Sequence, residues 1–209
     1  MKDLIIIGAR GYGRELCSLV EEINQQKKRF RVKGFLDDNR DALTGYSGYP
    51  PILASVEDYI PMADEQFVCA LGIAKDRKKY TEMILAKGGV FATLVHPTAL
   101  FRKNVVLGRG VVIQCFTVLS CDVQVEDHVH IQGQSNLGHD CKVGKWSQLS
   151  PQVFMGGYSA VEHEVQIYTK ATILPHIVVG AGATVGAGSV VLKNVRPGTS
   201  VFGVPAKII

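Results

Sequence analysis

The chain has 209 residues, with 23 lysines and arginines against 19 aspartates and glutamates, a net charge of +4 with histidine neutral, and a hydrophobic share of 46%. This is the profile of a globular protein with room for one ordinary domain or two small ones, and the charge is too mild to point to nucleic acid as a partner. No apolar run approaches the roughly 18 residues of a membrane span, and the short run in MKDLIIIGARGYG passes straight into glycines, unlike a signal peptide.

In chain order, Leu4–Ile7 reads as a buried strand, followed by the turn Gly8-Ala-Arg-Gly11-Tyr12-Gly13 and a helix from Arg14 to about Gln25. A strand, a glycine turn and a helix in succession present backbone N–H groups and a helix N-terminus to an anion, typically a phosphate. The basic run Lys27-Lys28-Arg29 is expected to be a solvated helix end. Val32–Leu36 reads as a second strand ending in Asp37-Asp38, then come strand Phe67–Leu71, a helix from Lys75 to Lys87 and strand Phe91–Val95. The alternation predicts a short parallel Rossmann-like unit over residues 1–95. With fewer than a hundred residues, and GxxGxG rather than GxGxxG, a mononucleotide suits it better than NAD.

From Phe101 the rhythm changes to a period of six. Phe101, Leu107, Ile113, Leu119, Val125, Ile131, Leu137, Val143, Leu149, Met155, Val161, Ile167, Ile173, Val179, Val185 and Val191 are all bulky and apolar, sixteen hits in sixteen steps. With apolar residues near half of the composition, chance gives this about once in 2^16 for a given phase. A small or β-branched residue follows four positions after each hit, as at Thr117, Ser135, Cys141 and Ala183. Neither helix nor plain strand has this period. It suits a prism of flat faces, one hexad per face and 18 residues per coil, with coils stacked at strand spacing of about 4.8 Å. About five coils are expected within a second domain, residues 96–209, with the first and fifth hexad positions pointing inward.

Within Leu137-Gly-His139-Asp140-Cys-Lys, His139 is the third residue and therefore faces out near a turn, where Asp140 can orient the ring. The 18-residue stacking aligns His139 with Lys103, Cys121, Gly157, Pro175 and Lys193. Gly157, one coil along, offers bare backbone beside a base, and Lys193 is a cation about 14 Å away. His96 reads as structural at the domain junction, and His128, His130, His163 and His176 as solvated outer residues. No three histidines converge as a zinc site requires, so no metal is expected. Trp146 faces outward, toward a neighbouring subunit or a ligand. The five cysteines form no CxxC pair and read as buried thiols in a reducing, cytoplasmic setting.

The hexad pattern and the tail Val201-Phe-Gly-Val-Pro-Ala-Lys resemble the hexapeptide-repeat acyltransferases. Together with IIIGARGYGRE, GFLDD, the bridge HPTA and SNLGHDCKVG, they narrow the resemblance to sialic acid O-acetyltransferases and N-acetyltransferases of nucleotide-linked 4-amino-sugars. That resemblance implies an α/β Rossmann-like domain followed by an all-β left-handed parallel β-helix, assembled as a homotrimer with acetyl-CoA in the groove between prisms. It implies an enzyme of surface polysaccharide biosynthesis that acetylates an amino or hydroxyl group of a nucleotide-linked sugar, with sialic acid or another non-nucleotide acceptor as the alternative. By the same resemblance His139 is the general base and Asp140 its orienting partner. Gly157, Thr169, Ala187 and Lys193 would line the acetyl-CoA track. Gly8, Gly11, Tyr12, Gly13, Asp37, Asp38 and Gln148 would hold the acceptor. Tyr12 and Gln148 stand where many relatives have histidines, which leaves the acceptor more open than the donor. A non-catalytic β-helical scaffold, or an NAD-binding protein, remains the contrary reading.

Overall fold

A computed structural model describes residues 1–209, which divide into two compact units, residues 1–97 and 98–209. In the first unit, β1 (Lys2–Ile7), α1 (Gly11–Gln26), β2 (Phe30–Leu36), β3 (Ile52–Ala54), β4 (Glu65–Cys69), α2 (Ala74–Ala86) and β5 (Val90–Phe91) follow in order. The strands form one parallel sheet in the order β3-β2-β1-β4-β5, so the order reverses at β1. Ile7 pairs with Leu36 on one side and Cys69 on the other, and all three are buried with Ile5, Phe67, Ile84 and Phe91 in one core. Leu16, Cys17, Leu19, Val20 and Ile23 supply the buried face of α1, the spacing that a one-sided helix needs.

Three elements differ from the sequence expectation, the first being the strand expected over Phe91–Val95, which is broken into Val90–Phe91 and Leu94–Val95. α1 begins at Gly11, three residues before Arg14, because the glycine turn is itself wound into the first helical turn. Gly13 permits this: a Cβ there would overlap the Gly8 carbonyl oxygen, so only glycine lets the helix start so close to β1. The three-residue strand Ile52–Ala54 was not expected, being too short to show a period. The basic run at residues 27–29 is exposed, as expected.

The second unit is a parallel prism with three faces. One face stacks the strands 100–101, 118–119, 136–137, 154–155, 172–173 and 190–191. A second stacks 106–107 through 178–179, and the third runs from 112–113 through 184–185 to 200–202, closed by the antiparallel strand 207–208. Every paired residue is 18 positions from its partner along the regular coils, as in Leu119 with Leu137 and Val143 with Val161. From Ile113 to Val191 each first-position residue is buried, and so are fifth-position residues such as Thr117, Ser135, Cys141 and Ala183. Phe101 and Leu107 are more open because they lie in the first coil of the stack.

Each hexad turns its corner at the fourth position. Asn104, Phe116, Asp122, His128, Gln134, Asp140, Trp146, Gln152, Tyr158, Glu164, Lys170 and His176 all have φ between 56° and 63°, and Gly110, Gly182 and Gly188 share the conformation. The corner N–H groups bond the coil before, as in Asp140 N–H to Cys121 O at 3.0 Å and Tyr158 N–H to His139 O at 2.9 Å. Backbone pairing to the neighbouring coil thus holds a conformation that side chains disfavour.

Three expectations about outer residues fail. His128 and His130 are buried rather than solvated, and Val112, His130 and Gln148 form a buried outward strip on the third face. Period six reports which side chains enter the prism, and says nothing of what covers its outside. All five cysteines are free, but only Cys17, Cys69 and Cys141 are buried, while Cys115 and Cys121 are partly open at third positions of their hexads. His163 and His176 are exposed as expected, and Trp146 stacks on His128 with ring centroids 6.1 Å apart.

Candidate active site

In the first unit a cleft of about 620 Å³ opens where the strand order reverses, lined by Gly8, Arg10, Asp37, Asp38, Asn39, Ala70, Leu71 and Tyr80 among others. This is where open parallel sheets bind ligands, beyond the carboxyl ends of adjacent strands. Gly8 sits in the turn with φ +96°. No acidic residue occupies the first turn of α1, so its N-terminus keeps its partial positive charge for an anion. Of the residues expected here, Gly8, Asp37 and Asp38 line the cleft, whereas Gly11, Tyr12 and Gly13 lie in the opening turn of the helix.

Asp37 is fully engaged with backbone. One oxygen accepts from Ala9 N–H at 2.8 Å and the other from Asn39 N–H at 2.9 Å. It therefore ties the end of β2 to the glycine turn and shapes the cleft. Asp38 instead accepts the Tyr80 hydroxyl at 3.0 Å, and that bond pushes the Tyr80 phenol above its ordinary range. Arg10, Leu71 and Tyr80 also line the cleft but were missed in the sequence, because nothing in their spacing marks them. Arg77, buried in α2, donates to the Leu71 carbonyl at 2.5 Å and so braces the loop beside the cleft.

In the second unit His139 and Asp140 form a pair: Nδ1 of the imidazole lies 2.9 Å from Asp140 Oδ2. Consecutive residues of extended chain point to opposite sides. The left-handed backbone of Asp140, φ +61°, brings its carboxylate round to its neighbour. A carboxylate only accepts, so Nδ1 is the donor in this pair and Nε2 is turned away from it. The imidazole stands over Gly157: a Cβ there would come within 2.7 Å of Cε1 and of Nε2. Gly157 is thus bare because the histidine ring occupies the place of its side chain. The ring also meets Tyr158 edge-on at 5.0 Å, and Tyr158 stacks on His176 at 5.1 Å. Burial raises the Cys141 thiol above its ordinary value and its sulfur contacts the Gly156 carbonyl, so it stays a thiol beside the pair.

Gly157 and Lys193 lie on the His139 corner, with Lys193 exposed. Thr169 and Ala187 lie on a different corner, two hexads further along the chain, where Thr169 Oγ1 donates to Pro151 O at 2.7 Å. Gln148 is buried on the third face, between His130 and Gln166. A single prism therefore does not bring Thr169, Ala187 or Gln148 beside His139. His163 and Glu164 repeat the dyad geometry on another corner at 3.4 Å. His96 pairs with Glu22 at 2.9 Å, which supports a structural role. No cluster of three or more metal-ligating side chains is present, and no helix is long and apolar enough to cross a membrane.

Residues 3–84 match the family model of the PglD N-terminal domain. Over 97% of its length the chain is 29% identical to GDP-perosamine N-acetyltransferase of Escherichia coli O157:H7, covering 94% of that protein. It is 31% identical to UDP-N-acetylbacillosamine N-acetyltransferase of Bacillus subtilis (strain 168) over 54% of this chain and 51% of the relative. Among solved structures, the acetyltransferase domain of PglB from Neisseria gonorrhoeae FA1090, in complex with acetyl coenzyme A, superposes with a TM-score of 0.89 at 26% identity, covering 100% of this chain and 99% of that one. The α/β unit, the left-handed parallel β-helix and the likeness along nearly the whole chain agree with one another. The N-terminal unit thus carries the match to a PglD N-terminal domain, and the whole chain is similar in sequence and fold to nucleotide-sugar N-acetyltransferases.

Proposed function

We propose that the chain moves an acetyl group from acetyl-CoA to the amine of a nucleotide-linked sugar, with His139 as general base and Asp140 as its orienting partner. The observation that carries the reading is the dyad itself, an imidazole with Nδ1 engaged by a carboxylate at 2.9 Å and Nε2 left over bare backbone at Gly157. His139 takes a proton from the acceptor nitrogen at Nε2 as that nitrogen attacks the thioester carbonyl, and the proton then leaves with the coenzyme A sulfur. Asp140 keeps the ring in the required tautomer and favours the imidazolium that forms. The cleft at Gly8, Asp37 and Asp38 holds the nucleotide, its phosphates at the start of α1. Lys193, on the His139 corner, meets the phosphates of coenzyme A.

Thr169 and Ala187 sit on a different corner from Gly157 and Lys193, so all four line one track only when two chains contribute. This supports a trimer with its donor grooves between prisms. The names of the relatives support a GDP- or UDP-linked amino-sugar as acceptor, in the cytoplasm where such sugars are activated. A thermal-shift panel of GDP, UDP, CMP and dTDP, each with and without acetyl-CoA, tests the reading. One nucleotide and acetyl-CoA should each raise the melting temperature, and by mass action a ligand at 100 times its Kd adds about 2.7 kcal/mol. A chain that acetylates free sialic acid, with no response to any nucleotide, would move the reading to the O-acetyltransferases. Failure to bind coenzyme A at all would end it.

A further inference from the structure

His139 stands on an exposed corner, with 55% of its side chain open to solvent, and Asp140 holds only one of its nitrogens. A single hydrogen bond leaves the ring free to rock about that bond, whereas a base must stay within a few tenths of an ångström of its target. The backbone at Gly157 floors the ring, and an aromatic neighbour meets its edge. Tyr158 follows Gly157 in the next coil, donates its N–H to the His139 carbonyl at 2.9 Å, and sets its ring perpendicular to the imidazole at 5.0 Å between centroids. Tyr158 is itself 54% exposed and holds a left-handed backbone at φ +60°, which a large aromatic residue rarely adopts. His176, one coil further, braces it from the other side, its ring 5.1 Å away and within 8° of parallel. An imidazole, a phenol and a second imidazole thus run up one corner of the prism, in a place where the core demands no aromatic side chain.

We infer that Tyr158, backed by His176, is a positioning residue that fixes the His139 imidazole for proton transfer. The inference rests on His139 being the base. The ring matters and the hydroxyl does not, because the contact is between aromatic planes. Asparagine accepts the left-handed backbone, so Tyr158→Asn removes the ring without straining the corner, and Tyr158→Gly is a second ring-free variant of the same backbone freedom.

The experiment measures kcat and the KM for acetyl-CoA in Tyr158→Asn, Tyr158→Gly, Tyr158→Phe and His139→Ala, and in the double variant His139→Ala/Tyr158→Asn. The ring-free variants should lose about 2- to 10-fold in kcat, the worth of one aromatic edge contact, with the KM for acetyl-CoA unchanged. Tyr158→Phe should restore the wild-type kcat. In the His139→Ala background the loss of the ring should cost nothing more, since nothing is left to position. Full kcat in both ring-free variants beside an inactive His139→Ala would overturn the inference and leave the proposed function standing. So would a Tyr158→Phe variant as slow as Tyr158→Asn, or a further loss in the double variant. Full activity in His139→Ala would instead remove the base, and the inference with it.

Discussion

In the α/β unit every residue with a left-handed backbone is a glycine: Gly8, Gly45, Gly48 and Gly88. In the prism twelve residues that are not glycine share that backbone, one at nearly every corner, and they include tyrosine, tryptophan and phenylalanine. Loops of the first unit bend alone and so need the residue that bends freely. Corners of the second bend in register, their N–H groups from Asp122 onward bonded to the coil below, so a side chain can remain where the backbone alone would refuse it. The difference teaches what each unit can use a turn for. The first makes its turns from bare backbone, suited to cradling an anion. The second presents functional side chains at its turns, and there a carboxylate and an imidazole from adjacent residues can meet.

The sharpest way to break this comparison is to delete the side chain that the corner presents. His139→Ala should lower kcat by roughly 10² to 10⁴, the worth of a positioned general base, with the melting temperature unchanged. An alanine variant with the wild-type kcat would show that the acceptor's proton goes elsewhere. Next come the glycines, which should separate by unit. Gly13→Ala drives a methyl into the Gly8 carbonyl oxygen and should destabilise the α/β unit by about 3 kcal/mol, read by chemical denaturation. Gly157→Ala meets the imidazole first, a side chain that can swing aside, so it should cost little stability and about 10- to 100-fold in kcat by displacing the ring.

Smaller effects sharpen it further. Asp37→Ala strips the acceptor from Ala9 and Asn39 N–H and should raise the acceptor's KM about 10-fold, with the KM for acetyl-CoA nearly constant. A matching rise in both constants would mean that Asp37 does not act through the cleft. The smallest difference is between the two kinds of turn. Gly45 has φ +85° with open space around it, so Gly45→Ala should cost about 1 kcal/mol from backbone strain alone. Lys170→Gly, at an exposed corner, should cost nothing or stabilise by up to about 1 kcal/mol, since it relieves the same strain. A Gly45→Ala variant as stable as the wild type, or a Lys170→Gly variant destabilised by about 1 kcal/mol, would undo the contrast between the units.

The prism was readable from sequence because burial in a coil repeats without interruption: Ile113 through Val191 keep one phase over many turns, and each is buried. The corner conformation was not readable, because residues as different as Asp140, Trp146 and Lys170 occupy it, so composition carries no mark of it. His139 and Asp140 were legible as a pair from position, yet the reason they touch is that unseen backbone. Gly157 was anticipated as bare, but as room for a ligand rather than for the imidazole. Tyr158 was not singled out, and His176 was read only as solvated, because their ring partners lie 18 or 19 residues away, beyond any local pattern. In the α/β unit Gly8 and Asp37 were found by the order of strand, turn and helix, while Leu71, in the loop after β4, and Tyr80, in α2, are distant in sequence and reach the cleft only through the sheet order.

The identical 18-residue coils also make the prism a length gauge. His139 and Lys193 share a corner three coils apart, about 14 Å at strand spacing. Because each coil contacts only its neighbours, splicing in one complete coil between Gly157 and Lys193 would move the lysine one step, about 4.8 Å, from the base and leave the dyad, its glycine and its tyrosine as they are. Inserting a single residue would instead rotate every later side chain out of phase with the core. The spacing between His139 and Lys193 can therefore change only in whole steps of about 4.8 Å, a ruler graduated in coils.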